Sequence, residues 1–307
     1  MDRSLLISPA PHVRSPITTQ RIMLDVIIAL LPTLVASVWI FGWQSLAVTA
    51  VCVLTCVVCE WGFEKICHRD VTVGDLSAVV TGIILAFNLP ATIPLWQAAF
   101  GALVAIVVVK QLFGGIGKNF ANPAATARIV LFLSFSGTMS AFPKLADAVS
   151  SATPLAQMNA GESPALLDLL LGRHGGCLGE TCALTLILGG VYLLFRRVIT
   201  WHAPVALIAT VFLSTWALGA DPLHHVLSGG VILAAFFMIT DYATSPSTAW
   251  GKILFGVGCG LITVLIRLYG NYPEGMSFAI LLMNILTPYL CTWTRKRPFG
   301  GVKAKKA

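Results

Sequence analysis

The chain is written in long apolar stretches separated by short polar punctuation. Ten such stretches fall at approximately 22–43, 45–63, 75–90, 94–112, 122–141, 180–196, 199–218, 225–241, 252–270 and 275–293. A helix needs roughly 20 apolar residues to cross the hydrocarbon core of a bilayer. The pattern therefore predicts an all-α integral membrane protein of about ten transmembrane helices, forming one multi-pass domain over 1–307. Most connections are short. The exception is 142–179, and a long connection in a compact chain is where function is often found.

Composition agrees with lipid as the solvent. The chain is 57% hydrophobic and 11% charged, with a mean hydropathy of +0.85. A soluble domain carries about a quarter charged residues. The N-terminus, "MDRSLLISPAPHVRSP", lacks a basic start followed by an apolar run, so no cleavable signal peptide is expected and the first apolar helix stays as an anchor. The net charge is +7. The basic residues lie on short loops and a tail with no nucleic-acid motif among them, so they read as topology signals rather than a nucleic-acid surface. Of the 20 lysines and arginines, only Lys144, Arg173 and Arg267 fall on one set of loops; the other set holds the rest, counting Arg128, which lies near that basic side. The positive-inside rule then puts both tails, 1–21 and 294–307, in the cytoplasm and the 142–179 loop outside.

The chain echoes itself. "SPITTQRIML" (15–24) and "NPAATARIVL" (122–131) align without a gap, and "SPSTAWGKILF" (245–255) is a looser copy. Each opens a predicted helix, with Ser or Asn as the cap and Pro at the first helical position. Capping does not explain the shared spacing of Thr19/Thr126 and Arg21/Arg128, so an internally duplicated membrane fold is expected, a common plan among transporters.

Several polar constellations interrupt the apolar pattern. "FGGIGKNFANPAATAR" (113–128) combines three glycines, Lys118 and a helix start at Asn122-Pro123, which suits a ligand loop as well as a plain turn. "MITDYATSPSTAWGK" (238–252) is a second break on the same side, while "LPATIP" (89–94) and "RLYGNYPEGMSFAILLMN" (267–284) turn on the outer side. Charges within or beside spans are Asp25, Arg128, Asp241 and Arg267. Asp25 has an i, i+4 partner in Arg21, can snorkel to the interface, or serves a function. Cys52, Cys56 and Cys59 share a helix face and read as buried apolar thiols; Cys177 and Cys182 are near enough in sequence for a disulfide if the compartment oxidises. His224 and His225 read as solvated at an outer turn. No metal-ligand set, catalytic triad or dinucleotide loop is present in the pattern.

The long loop contains "DAVSSATPL". By itself this is a Ser/Thr-rich turn before Pro154, and a threonine hydroxyl is a weak nucleophile that needs a dedicated enzyme to load it. Yet Asp147-x-x-Ser150-Ser151-Ala152-Thr153 resembles the flavinylation signal Asp-x-x-Ser/Thr-Gly-Ala-Thr, with Ser151 where Gly is usual. With "SPITTQRIMLDVIIALLP", "FGGIGKNFANPAATAR", "GCLGETCAL", "MITDYATSPSTAWGK" and "YPEGMSFAILLMN" in that order, nearly the whole chain resembles the D subunits of Rnf electron-transport complexes. It is more distantly similar to the B subunits of sodium-pumping NADH:quinone reductases. It departs from the pattern at Cys182, where Ser is usual, and at Tyr242, where Pro often follows the Asp.

The resemblance implies a multi-pass subunit of a bacterial inner-membrane complex. That complex moves electrons between reduced ferredoxin and NAD and couples this to sodium or proton translocation. Thr153 would carry covalent flavin mononucleotide (FMN) on the periplasmic side as a redox relay. A non-covalent riboflavin is also implied, with the glycine-rich and Asn/Ser-Pro helix starts as its candidate surroundings. The implied partners are the other Rnf subunits, a flavin transferase during maturation, and the lipid bilayer. The chain alone would have no turnover. Charge counting independently places the 142–179 loop outside, where a tether keeps a cofactor from being lost by dilution. The rival reading is a non-redox multi-pass transporter or channel with a duplicated helical fold.

Overall fold

The computed structural model describes residues 17–142, 153–159, 164–172, 174–180, 182–270 and 275–295. The described residues form helices and loops, without strands. Four helices are long and apolar enough to cross a membrane: α1 (Thr19–Phe41), α2 (Trp43–Ile66), and, late in the chain, Ala249–Tyr269 and Met276–Thr294. Between them lie α3 (Ser77–Phe87), α4 (Leu95–Gln111), α5 (Pro123–Ser134) and the single turn α6 (Ser136–Met139). The long connection holds two short helices, α7 (Pro154–Asn159) and α8 (Leu166–Leu171). Then come α9 (Ala183–Phe195), α10 (His202–Ala217), α11 (Pro222–Leu227) and α12 (Val231–Leu233, wound on as a π-helix over Ala234–Met238). The two late spanning helices are α13 and α14.

Each of the ten apolar stretches contains helix, but two are broken. The stretch 122–141 stops being regular at Phe135, which ends α5 at φ −133°. The stretch 225–241 divides at Gly229 and Gly230, whose positive φ of 66° and 71° lets the chain turn between α11 and α12. Lipid offers no partner for a freed backbone group, so such breaks persist only where protein surrounds them. The second break is enclosed: Ser228, Val231, Ile232 and Leu233 are buried.

Small residues let the helices approach closely. A side chain at Gly256 would sit 2.7 Å from Ala203 O, and one at Gly260 would sit 2.8 Å from Thr210 Cβ, so α13 lies directly on α10. This small-x-x-x-small spacing is how membrane helices gain contact where lipid supplies no hydrophobic drive between them. All eight tryptophans lie near helix ends and are exposed: Trp39, Trp43, Trp96 and Trp216 at one end of the bundle, Trp61, Trp201, Trp250 and Trp293 at the other. Two aromatic belts of this kind mark the two interfaces of a bilayer. The second group stands at the end that carries the basic loops.

Two of the three echoed helix starts are capped differently from the sequence expectation. Asn122 caps α5 through its side chain, which accepts from Ala125 N at 3.1 Å, with Pro123 at the first position as expected. In α1 and α13 the cap is a threonine instead: Thr18 accepts from Arg21 N at 3.3 Å and Thr248 from Gly251 N at 3.1 Å. The proline there lies before the cap, outside the helix. The echo of 122–131 and 245–255 has a structural counterpart nonetheless. Each segment follows a π-helix (Val104–Gln111, Ala234–Met238) and a loop that leads into a capped helix.

Candidate functional site

The two loops that follow the π-helices meet inside the bundle. Asn122 Nδ2 donates to Met238 O at 3.1 Å. Asn284, about halfway along α14, accepts from Asn122 N at 2.9 Å and donates to Thr244 O at 3.3 Å when its amide is oriented to suit both neighbours. Thr287 Oγ1 also donates to Thr244 O, at 2.9 Å. Both loops therefore dip to the middle of the bundle rather than lying on its surface. Gly114, Gly115 and Gly117 have positive φ, which is the backbone freedom the glycine-rich string predicted.

The dip leaves a cavity of about 190 Å³ on the basic half of the bundle. Its walls are apolar, with Val80, Ile84, Leu193, Phe236 and Phe237 among them. Its polar groups include Lys110, Asn119, Asn122, Asp241, Ser77 and Thr19. Cofactor sites in proteins have this composition, an apolar slot with a handful of fixed polar groups. Asp241 is held in place, accepting from Thr244 Oγ1 at 3.0 Å and Ala243 N at 3.4 Å.

Beside the cavity lies a charged network that the sequence reading missed. Lys110 Nζ stands 2.6 Å from Glu60 Oε1 and donates to Ser77 Oγ at 2.6 Å. Gln111 Nε2 donates to the same Glu60 oxygen at 2.8 Å. One turn on, Glu64 accepts from Thr72 N at 3.0 Å and Thr72 Oγ1 at 2.5 Å. Glu60, Glu64 and Lys110 are buried. Glu60 lies inside the predicted span 45–63, so an acid within an apolar run was the available signal. Lys110 reads as a loop charge in the pattern because the predicted span 94–112 ends beside it.

Asp25 does not use Arg21. Its Oδ1 accepts from Tyr192 OH at 3.1 Å, and Arg196 Nη2 lies 3.2 Å from both carboxylate oxygens. Arg21 is exposed at the start of α1, whereas Asp25 faces α9. Arg128 is likewise away from the basic end. Its guanidinium donates to Asn88 Oδ1 and Ser277 Oγ, both at 3.3 Å, and lies 3.6 Å from Glu180 Oε1. Because α5 starts at mid-bundle, its second turn already reaches the opposite half.

At that opposite end the long connection folds back into the bundle. Leu178 N donates to Leu89 O at 2.9 Å and Gly179 N to Phe87 O at 2.8 Å, extending the end of α3. Arg267 donates to the carbonyls of His225 at 2.6 Å, Ser228 at 3.0 Å and Gly229 at 2.9 Å, clamping the break before α12. His224 and His225 are buried, not solvated, since α11 packs against α10 and α8. Burial pushes the Cys177 thiol up to about 12 in spite of the Arg128 guanidinium 3.4 Å away. Cys177 and Cys182 are both free thiols. Cys182 turns away, toward Leu170 O at 3.7 Å. Burial also holds His174 below the ordinary histidine range.

Thr153 is the one residue of the flavinylation string among the described residues; Asp147, Ser150, Ser151 and Ala152 lie outside them. Thr153 is buried, and its carbonyl accepts from Gln157 N at 2.9 Å at the start of α7. Leu155 Cδ1 and Arg267 Nη2 both crowd the same face of Gly229. A buried guanidinium thus stands beside the segment that carries Thr153.

The profile of the NQR2, RnfD, RnfE family matches residues 6–300. The chain belongs to this family. A relative from Acetobacterium woodii, the D subunit of a Na(+)-translocating ferredoxin:NAD(+) oxidoreductase complex, is 48% identical over 99% of this chain and 98% of its own. The D subunit of the proton-translocating ferredoxin:NAD(+) oxidoreductase complex of Clostridium ljungdahlii is 39% identical over 96% of each chain. The D subunit of an ion-translocating oxidoreductase complex from Halorhodospira halophila is 37% identical over 95% of each. Membership in the NQR2, RnfD, RnfE family agrees with the resemblance carried by the long strings, and the described parts of several of those strings meet in space. "FGGIGKNFANPAATAR" and "MITDYATSPSTAWGK" build the cavity, and "GCLGETCAL" supplies Glu180 and the backbone that extends α3.

Proposed function

We infer that the chain is the D subunit of an ion-translocating ferredoxin:NAD oxidoreductase complex and carries FMN through a phosphoester on Thr153. The chain sits in the inner membrane with both tails cytoplasmic and the flavin loop periplasmic. The observation that carries the flavin reading is the string Asp147 to Thr153 on the connection that charge counting places outside. Full-length similarity to three subunits with such names supports the complex.

Bound flavin would supply the electron-transfer chemistry; the protein's part is position and electrostatics. Thr153 Oγ1 would hold the phosphate. Arg267, fixed by three carbonyls, would offset its charge without moving. A second, non-covalent flavin such as riboflavin suits the cavity on the basic half. There Phe236, Phe237 and Ile84 would face the rings, while Asn119, Asn122, Lys110 and Asp241 would meet polar edges. A transferase acts on the string during maturation, and the other subunits of the complex complete the electron path. The broken helices and paired loops also suit a non-redox transporter, which would carry no flavin.

The test is in-gel fluorescence of the denatured chain, produced together with its flavin transferase. The wild-type band should fluoresce under ultraviolet light and Thr153→Ala should be dark. A fluorescent T153A band would overturn the attachment site, and a dark wild-type band would favour the transporter.

A further inference from the structure

The cavity opens at the basic end. Among its lining residues Thr19, Ile116, Gly117 and Tyr242 are exposed; they come from the start of α1, the glycine-rich loop and the loop before α13. Tyr242 differs from the others in lining two spaces. One is the cavity; the other is a smaller void of about 30 Å³ shared with Thr200, Ser245 and Lys252. Its side chain is a partition between them and is 56% exposed, so packing does little to hold it. What holds it is the phenol hydroxyl, which donates to Val198 O in the turn after α9. Both ends of that bond are fixed. On one side Asp241 staples the loop, accepting from Thr244 Oγ1 and Ala243 N through its carboxylate and from Ser245 N at 3.1 Å through its carbonyl. On the other, Val198 N donates to Leu193 O at 3.0 Å, and Lys252 Nζ ties the same turn to α13 through Thr200 Oγ1 at 3.0 Å. Arg197, just before the acceptor, has a left-handed backbone with φ 57°, which a residue with a side chain seldom adopts. Backbone of that kind persists where its surroundings hold it, and it gathers at ligand clamps.

We propose that Tyr242 is the retaining residue of the cavity: pinned to Val198 O, its ring closes the mouth over the non-covalent ligand and sets how fast that ligand enters and leaves. The inference rests on the reading that a non-covalent flavin occupies the cavity, and it names what keeps the flavin there. A flavin without a tether stays only as long as the barrier to its release allows. The ligand passes the mouth in either direction only after the Tyr242–Val198 bond has broken. That bond is made within the protein, whether the cavity is filled or empty. Its loss therefore speeds entry and release together and leaves the affinity unchanged. A residue whose contact is with the ligand itself acts mainly on release, and so on affinity. The family's strings do not carry this role, because Pro often stands at the position of Tyr242 and has no hydroxyl to donate.

The test exchanges radiolabelled riboflavin, bound to the purified complex, for an excess of unlabelled riboflavin. Tyr242→Phe keeps the ring and removes the hydroxyl. Exchange should be about two- to tenfold faster in Y242F, the range that one hydrogen bond spans, with the dissociation constant of riboflavin unchanged. Exchange at the wild-type rate overturns the proposal. Faster release with proportionally weaker binding also overturns it, in favour of a direct contact between Tyr242 and the ligand. A second arm needs no flavin. Ile84→Cys places a thiol on the buried wall of the cavity. A small methanethiosulfonate should label that thiol faster in I84C/Y242F than in I84C, by a similar factor, with the label mapped by peptide mass. A complex that binds no riboflavin would sink the flavin reading of the cavity. The two labelling rates would still decide the role of Tyr242, and equal rates would overturn it.

Discussion

Arg128 and Arg21 occupy matching places in the echoed strings, yet one is buried among polar partners and the other exposed. What separates them is the depth at which each helix starts. Arg128 and Glu180 form a buried pair at 3.6 Å, with Asn88, Ser277 and Cys177 supplying further contacts to the guanidinium. Removing one member of such a pair strands the other charge, at a cost of about 3–5 kcal/mol. Arg128→Met should therefore lower the thermal midpoint of the detergent-solubilised complex. The double variant R128M/E180Q should recover part of the loss, because both charges leave together. A double variant as damaged as the sum of the singles would show that the two residues do not act as a pair. At this scale the linear pattern offers candidates, not partners: Asp25 has a neighbour at i−4, and its partner comes from the end of α9 instead.

Helices α1 and α9 meet through glycine. A side chain at Gly189 would overlap Ala29 O of α1, and one at Gly190 would overlap the ring of Phe236 on the π-helix. Phe236 is also a wall of the cavity. Gly190→Ala must push that ring, and overpacking of this kind costs roughly 1–3 kcal/mol. On the proposed reading, less non-covalent flavin should be extracted per chain from the purified complex, with the in-gel fluorescence of the band unchanged. Unaltered extractable flavin would mean that no bound flavin rests against Phe236. Apolar periodicity located the long helices, but it ran through the breaks at Phe135 and at Gly229-Gly230. Those residues are themselves apolar or small, so hydropathy does not register the change in backbone.

For the whole molecule, the distribution of basic residues and the two tryptophan groups divide the bundle into the same two ends. This predicts which loops a membrane-impermeant maleimide can reach in intact cells with a permeable outer envelope. A cysteine introduced as Lys144→Cys should be labelled from outside. Cys67, exposed at the basic end, should be labelled only after the membrane that holds the chain is opened. The opposite pattern would invert the topology and place the Thr153 connection in the cytoplasm.

The sequence by itself determined the membrane class, the ten apolar stretches, the two-sided distribution of charge, and the strings that mark the family. These are local or additive properties: hydropathy sums over a window, charge sums over a loop, and a family string is read position by position. Tertiary structure alone decided that two loops dip to mid-bundle and enclose a cavity. It brought Lys110 to Glu60 across 50 positions, Arg196 to Asp25 across 171, and Arg267 to the carbonyls before α12. A charge surrounded by lipid or packed helices must find its partner wherever the fold brings one, because no water is there to take its place.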